Sequence, residues 1–226
     1  MLRKLSLLKD GTIHARDGDI GAIEDFFFDD ETWTVQYFVV DVGHWLQDRD
    51  VLIAPSAVCD ASWEEAALSV DLTRDQVRES PAVDTSRPIS RAREKEYRAF
   101  FGWPIYWSGY PGAAGTFTGV GFLPRQVPVT AGLEERKRRE EAEPESLEKE
   151  KEQQPNPHLW SCEDVRNYTI SAGDGELGHA DDYIVEEDSF RMRYIVVDTR
   201  RWLPGPHVLV CTDWILTPSW EDERLS

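Results

Sequence analysis

Scarcity sets the first limits on this chain. No stretch approaches the ~20 consecutive apolar residues that a membrane-spanning helix requires. The first residues, Met1 to Asp10, carry basic side chains but no apolar run of signal-peptide length. A cytoplasmic protein with no direct membrane insertion is expected. Only three cysteines occur, Cys59, Cys162 and Cys211. That number is odd and too small for a disulfide framework, which points to a reducing compartment. Positive charge is also short: 25 Lys and Arg stand against 43 Asp and Glu, a formal net charge of −18. Neutralising a phosphate backbone takes Lys and Arg, so free nucleic acid is not expected as a partner and anionic membrane surfaces are disfavoured. The excess acid serves solubility, or forms a face that meets a basic partner.

Chemistry-bearing patterns are equally sparse. None of the five histidines, His14, His44, His158, His179 and His207, is spaced with a Cys or a second His as metal ligands are. Neither Cys59 nor Cys211 lies near a His with an Asn or Asp in the arrangement of a nucleophile. Residues 109–121 contain glycines but lack the Lys-Ser/Thr ending of a phosphate loop. No catalytic, cofactor-binding or metal-binding residue is predicted, and the chain reads as a non-enzyme without a cofactor.

What is present is a repeat. Tyr37-Phe38-Val39-Val40-Asp41-Val42-Gly43-His44-Trp45-Leu46 returns 157 residues later as Tyr194-Ile195-Val196-Val197-Asp198-Thr199-Arg200-Arg201-Trp202-Leu203. An apolar run, a carboxylate and then a Trp-Leu pair is the pattern of a buried strand running into a turn. Residues 12–64 align with 169–221 without a gap, with 18 identities in 53 positions. Such a period predicts two units rather than a solenoid. Cys59 falls opposite Leu216 and Cys211 opposite Ala54, so both cysteines read as small buried hydrophobes.

Each copy reads as all-β. Asp17-Gly18 and Asp174-Gly175 signal turns between short apolar stretches. Gly21 and Gly178 fall where a strand is expected to begin, a place for a bulge or a close backbone approach. Strands are predicted at 23–28 and 180–185, at 35–40 and 192–197, and at 51–54 and 208–211, with acidic hairpin loops at 29–32 and 186–189. Short strands at even spacing favour a small closed barrel, which removes exposed edges.

The order Thr-Ile, Asp-Gly, Gly, Asp, Tyr-x-Val-Val-Asp, Trp-Leu, Val-Leu in both copies resembles the PRC-barrel domain. That family includes the cytoplasmic domain of the photosynthetic reaction centre H subunit and the C-terminal domain of the ribosome maturation factor. The resemblance covers roughly residues 1–80 and 158–226. It implies a mainly β protein of two small PRC-like barrels joined by a partly helical, aromatic and charged linker at 81–157. It implies no particular activity, because members serve unrelated systems. The chain looks like tandem-barrel proteins of this kind. It lacks the membrane helix of the H subunit and, unlike the ribosome factor, is acidic.

Between the copies, 68–72 alternates like a strand, and Thr73-Arg74-Asp75-Gln76 has capping-box spacing for a short helix that Pro81 stops. A second helix is predicted over 90–101, ending at Gly102. An aromatic run follows, Trp103, Tyr106, Trp107 and Tyr110, which either packs over a neighbouring unit or forms a ligand platform. Residues 133–152 read as a solvated charged linker. Copy two ends at Ser226, opposite Ser69, and is expected to lack the last strand, leaving an edge for 119–129 or a second chain to cover.

Asp41 and Asp198 each follow a predicted buried strand; either they handle protons or they accept backbone N–H groups in the turn that follows. Trp45 and Trp202, together with the aromatic run, are the candidates for contacts. The function expected is a protein-interaction or adaptor module, binding another protein or itself as a homodimer, in an electron-transfer or stress-response complex. The alternative is a small-ligand or cofactor-binding protein with a site between the barrels, lined by Trp103, Tyr106 and Trp107.

Overall fold

In the computed structural model the described residues are 1–43, 49–85, 88–107, 154–166, 168–172, 175–199, 207–215, 218–219 and 224–225. The protein is mainly β, with two seven-stranded sheets. The first contains β2 (Thr12–Ala15), β3 (Gly18–Asp29), β4 (Thr34–Asp41), β5 (Asp50–Ile53), β6 (Val58–Ser62) and β7 (Ala67–Val70), in the order β5-β4-β3-β2-β7-β6. The second contains β9 (Thr169–Ala172), β10 (Gly175–Glu186), β11 (Met192–Asp198), β12 (Val208–Cys211), β13 (Pro218–Ser219) and β14 (Arg224–Leu225), in the order β12-β11-β10-β9-β14-β13. Two further strands, β1 (Leu2–Lys4) and β8 (Leu159–Ser161), complete the sheets, and the helices are α1 (Arg74–Glu79), α2 (Arg91–Phe101) and α3 (Cys162–Val165).

The local signals act as expected at the turns and caps. Gly18 and Gly175 take φ of +142° and +150° behind the Asp-Gly turns. Thr73 and Gln76 form a reciprocal capping box at α1, and Gly102 closes α2 in the left-handed conformation at φ 71°. Gly21 and Gly178 do not begin new strands, however. Each lies inside a twelve-residue strand, β3 or β10. A Cβ on Gly21 would stand 2.0 Å from the Asp41 carbonyl oxygen, and one on Gly178 would stand 2.1 Å from that of Asp198. Both glycines let adjacent strands cross closely.

Two expectations are corrected. First, no ladder joins β5 to β6 or β12 to β13, so among the described residues hydrogen bonding does not close either sheet on itself. The chain leaves β5 through a 3-10 turn at Pro55–Ala57, where proline offers no N–H and a direct hairpin is not made. Second, copy two does not lack its last strand. Arg224 and Leu225 pair in parallel with Thr169 and Ile170, the register in which Ala67 and Leu68 pair with Thr12 and Ile13. Two residues suffice because Leu225 is fully buried. The expectation that 119–129 covers an edge lies outside the described residues.

The two halves trade their leading strands. β1 pairs with β10 of the second sheet, Leu2 opposite Glu186 and Lys4 opposite Ile184. β8 pairs with β3 of the first sheet, Leu159 opposite Asp29 and Ser161 opposite Phe27. Every residue in one pairing has its counterpart 157 positions away in the other. The hairpin tips meet in the same reciprocal way: Val35 N–H donates to the Phe190 carbonyl at 3.1 Å, and Met192 N–H donates to the Trp33 carbonyl at 2.7 Å. Trp33 and Phe190 both hold φ near +50° at these tips. Trp33 stacks on Phe28 at 5.3 Å, while Phe190 stacks on Trp63 at 5.9 Å and meets Phe38 edge-on at 5.1 Å. One buried core therefore runs through both sheets, from Ile13, Phe28 and Phe38 to Tyr183, Phe190 and Ile195. The boundary at 157–158 divides the sequence, but residues on each side of it complete the sheet of the other half.

Candidate functional site

The residues singled out by sequence scatter. Asp41 is exposed and accepts the Gly43 N–H at 2.7 Å, which is the turn-forming role. Asp198 ends β11 as Asp41 ends β4. Trp45, Trp202 and Tyr110 lie outside the described residues. Trp103, Tyr106 and Trp107 do come together, but over one sheet rather than between two. Trp103 stacks on Phe101 of α2 at 4.3 Å, and Tyr106 meets Trp107 edge-on at 5.0 Å. With α2 they cover the outer face of the first sheet, where Phe27, Tyr37, Val39, Leu52, Ala54 and Leu159 form a second, smaller apolar cluster. These aromatics are packing, as their mixture with Pro and Gly made physically reasonable. Trp103 packs against the large core as well as against this outer cluster.

Beneath α2 lies a buried polar network that the sequence reading did not identify. Glu94 and Arg98 are 1% and 3% exposed and sit one helical turn apart on the buried side of α2. The Glu94 carboxylate accepts from Tyr37 Oη at 3.1 Å, Tyr106 Oη at 2.9 Å and Asn156 Nδ2 at 2.6 Å. Arg98 Nε donates to Tyr37 Oη at 2.6 Å, and its Nη1 donates to the Pro104 carbonyl at 2.6 Å. The guanidinium lies between the Tyr37 and Tyr106 rings, 4.7 and 4.6 Å from their centroids. Burial pushes the Glu94 carboxyl upward, opposed by Asn156, the Arg98 charge and the two tyrosines. With its donors satisfied, this network fastens α2 and 103–107 to the sheet rather than offering a reactive group. The i,i+4 spacing of Glu94 and Arg98 was visible in sequence, but an exposed ion pair would show the same spacing.

A small cleft lies where the halves exchange strands. It is lined by Ser6, Lys9, Glu24, Asp25, Glu163, Arg166, Asp181 and Asp182, above Leu5, Phe26, Cys162 and Tyr183, six pairs of positions each 157 apart. Asp25 accepts from Ser161 Oγ at 2.6 Å and from Glu163 N–H at 3.1 Å. Asp182 accepts from Ser6 N–H at 3.2 Å and Ser6 Oγ at 2.6 Å, with Lys4 Nζ 3.6 Å away. Each carboxylate thus caps the first turn that follows the strand received from the other half. Burial pushes Asp25 up to about 6, against the hydrogen bonds of Ser161, Phe26 and Glu163. Burial likewise pushes the Cys162 thiol well up, so it is a poor nucleophile. Asp25 and Asp182 are identical residues at positions 157 apart, a signal present in the sequence, though neither follows a strand end as Asp41 and Asp198 do. Among the described residues, no group of three His, Cys, Asp or Glu side chains could hold a metal ion.

The remaining feature is an asymmetry between the outer sheet faces. The six apolar positions covered by α2 on the first sheet correspond to Leu2, Ile184, Tyr194, Val196, Leu209 and Cys211 on the second. Leu2 is 47% and Leu209 53% exposed, Ile184, Tyr194 and Cys211 are half-buried, and Val196 is buried. Next to them Val208 is exposed, and Trp214, in the turn after β12, is 76% exposed. Among the described residues, no helix is long and apolar enough to cross a membrane. No model of a known protein family matches the chain, and no curated protein matches it significantly.

Proposed function

We propose that this chain is a non-enzymatic protein-interaction module, built by internal duplication of a PRC-type barrel and fused into one body by the exchange of leading strands. The observation that carries this reading is the apolar outer face of the second sheet. An unmatched apolar face of this kind marks a binding surface more often than a catalytic one. Asp25 and Asp182 of the cleft and the Glu94–Arg98 network are each engaged in holding elements together, so they add no reactive group to the reading. Shared register at positions 157 apart supports the duplication, and the motif order shared with PRC-barrel domains supports the family. The module works as an adaptor: the first sheet is sealed by the chain's own helix, and among the described residues no helix takes that place on the second, which is left to another protein.

The test is affinity capture from the native host with the full chain and with its Leu209→Asp variant, read by mass spectrometry. Leu209 is exposed, so the variant should keep the melting temperature of the parent. Capture of the same proteins in the same amounts by both would refute an interaction role for this face.

A further inference from the structure

The first sheet displays what fits the second. On the first sheet, α2 lays Tyr97 against the edge strand β5, and Leu52 N–H donates to Tyr97 Oη at 3.1 Å. One residue further on, Arg98 sits over the ring of Tyr37. The same receptors recur on the second sheet. β12 is its edge strand, Leu209 stands at the position of Leu52, and Tyr194 stands at the position of Tyr37. The six covered residues of one face are matched by six apolar or aromatic residues on the other.

Charge selects among occupants. The chain carries −18; beside the face Glu186 is paired with Arg193 at 2.7 Å and Asp213 with Arg191 at 3.5 Å, so the acid excess acts through the overall field of the chain rather than through free carboxylates. A second copy would bring the same excess of acid, whereas a basic helix is drawn to it. The covering segment itself has this character: residues 89–103 carry four Lys and Arg against two Glu, with Tyr97, Phe100, Phe101 and Trp103.

We infer that the outer face of the second sheet docks a basic amphipathic helix of a partner protein. An aromatic side chain of that helix lies against Leu209 at the β12 edge, and an arginine or lysine one residue on lies over the Tyr194 ring. This rests on the interaction-module reading and adds the chemistry of the partner. Helix-on-face docking of this kind draws its affinity from a few buried anchors, here the aromatic and the cation.

The probe is a fluorescein-labelled peptide of residues 88–103, titrated with the full-length protein at low ionic strength and followed by anisotropy. Saturable one-to-one binding is expected, weakened at least tenfold by Leu209→Asp or Tyr194→Ala and lost for a peptide with its four basic residues changed to Glu. Leu209→Asp also guards against exchange onto the first sheet, because only binding at the second responds to it. Absence of binding, or binding indifferent to Leu209→Asp, overturns the inference. So does a dimer, seen by light scattering, that Leu209→Asp abolishes, since that would give the face to a second copy. If the peptide fails while capture from the host remains sensitive to Leu209→Asp, the module reading stands and only the helix is wrong.

Discussion

Asp25 gives the sharpest test of the exchange interface. Its carboxyl caps a turn belonging to the other half from a largely buried position, and burial raises it from the ordinary 3.8 to about 6. The folded protein therefore holds this proton more tightly than the unfolded chain does. Stability from Asp25 is fully present below about pH 4 and is lost as pH rises through about 6. A shift of about two units corresponds to about 3 kcal/mol at neutral pH. Asp25→Asn removes the titration and keeps the shape. Its Oδ1 can still accept from Glu163 N–H, and its Nδ2 can donate to Ser161 Oγ, which already accepts from Asp164 N–H at 3.0 Å. Urea unfolding of both proteins from pH 3.5 to 7.5 should show no advantage for the variant at the acid end, growing to about 2–3 kcal/mol above pH 6. Taking the difference cancels every other carboxylate except those that sense Asp25 directly, chiefly Glu163. A difference that does not change with pH would show that Asp25 is hydrated and would remove it from the buried interface.

Two further expectations concern the backbone and the thiols. Gly178 and Gly175 share almost the same φ, 147° and 150°, but a Cβ on Gly178 would stand 2.1 Å from the Asp198 carbonyl oxygen and one on Gly175 would meet nothing within 4 Å. Gly178→Ala should therefore lose at least about 2 kcal/mol more than Gly175→Ala in urea unfolding, and equal losses would refute the close strand crossing. Cys59 is exposed and Cys162 is buried with its thiol pushed up, so a disulfide reagent at pH 8 should label Cys59 first and Cys162 only on unfolding; rapid labelling of Cys162 would contradict the shared core.

The sequence made the strands legible because their signals are local. Alternating and continuous apolar runs, Asp-Gly turns and the Thr73–Gln76 cap each need only a few neighbours to act. The trade of β1 and β8 was not legible, because nothing in Leu2-Arg3-Lys4 or Leu159-Trp160-Ser161 states which of two similar sheets each will join. Strand β6 was missed because Val58 to Ser62 lies partly exposed on an outer edge and lacks a buried-strand pattern. Asp25 and Asp182 were visible as an identical pair, yet their role depends on a turn more than a hundred residues away. Glu94 and Arg98 looked like an ordinary charged pair on a helix until Tyr37, Tyr106 and Asn156 closed around them.

The two apolar clusters answer to different constraints, and that difference supports an occupant for the bare face. The large core is shared by both halves, so a change at Phe38 or Ile195 is felt across the exchange. The outer cluster on the first sheet is a distinct set of buried residues, which shares Phe101 and Trp103 with the core at its margin and is covered by α2 and its flanking residues. Its counterparts on the second sheet are thus free to become polar without disturbing the core, and a sheet with one face in water ordinarily shows polar residues there. Yet Tyr194 and Leu209 are the same residues as Tyr37 and Leu52, and Leu2, Ile184, Val196 and Cys211 are all apolar. Of these six, Leu2 and Leu209 are 47% and 53% exposed and no described element covers them, and each leucine-sized side chain left in water forgoes about 1.5–3 kcal/mol of burial that an external partner restores. The geometry by which the first sheet satisfies its own six positions is the most direct guide to what satisfies the other six.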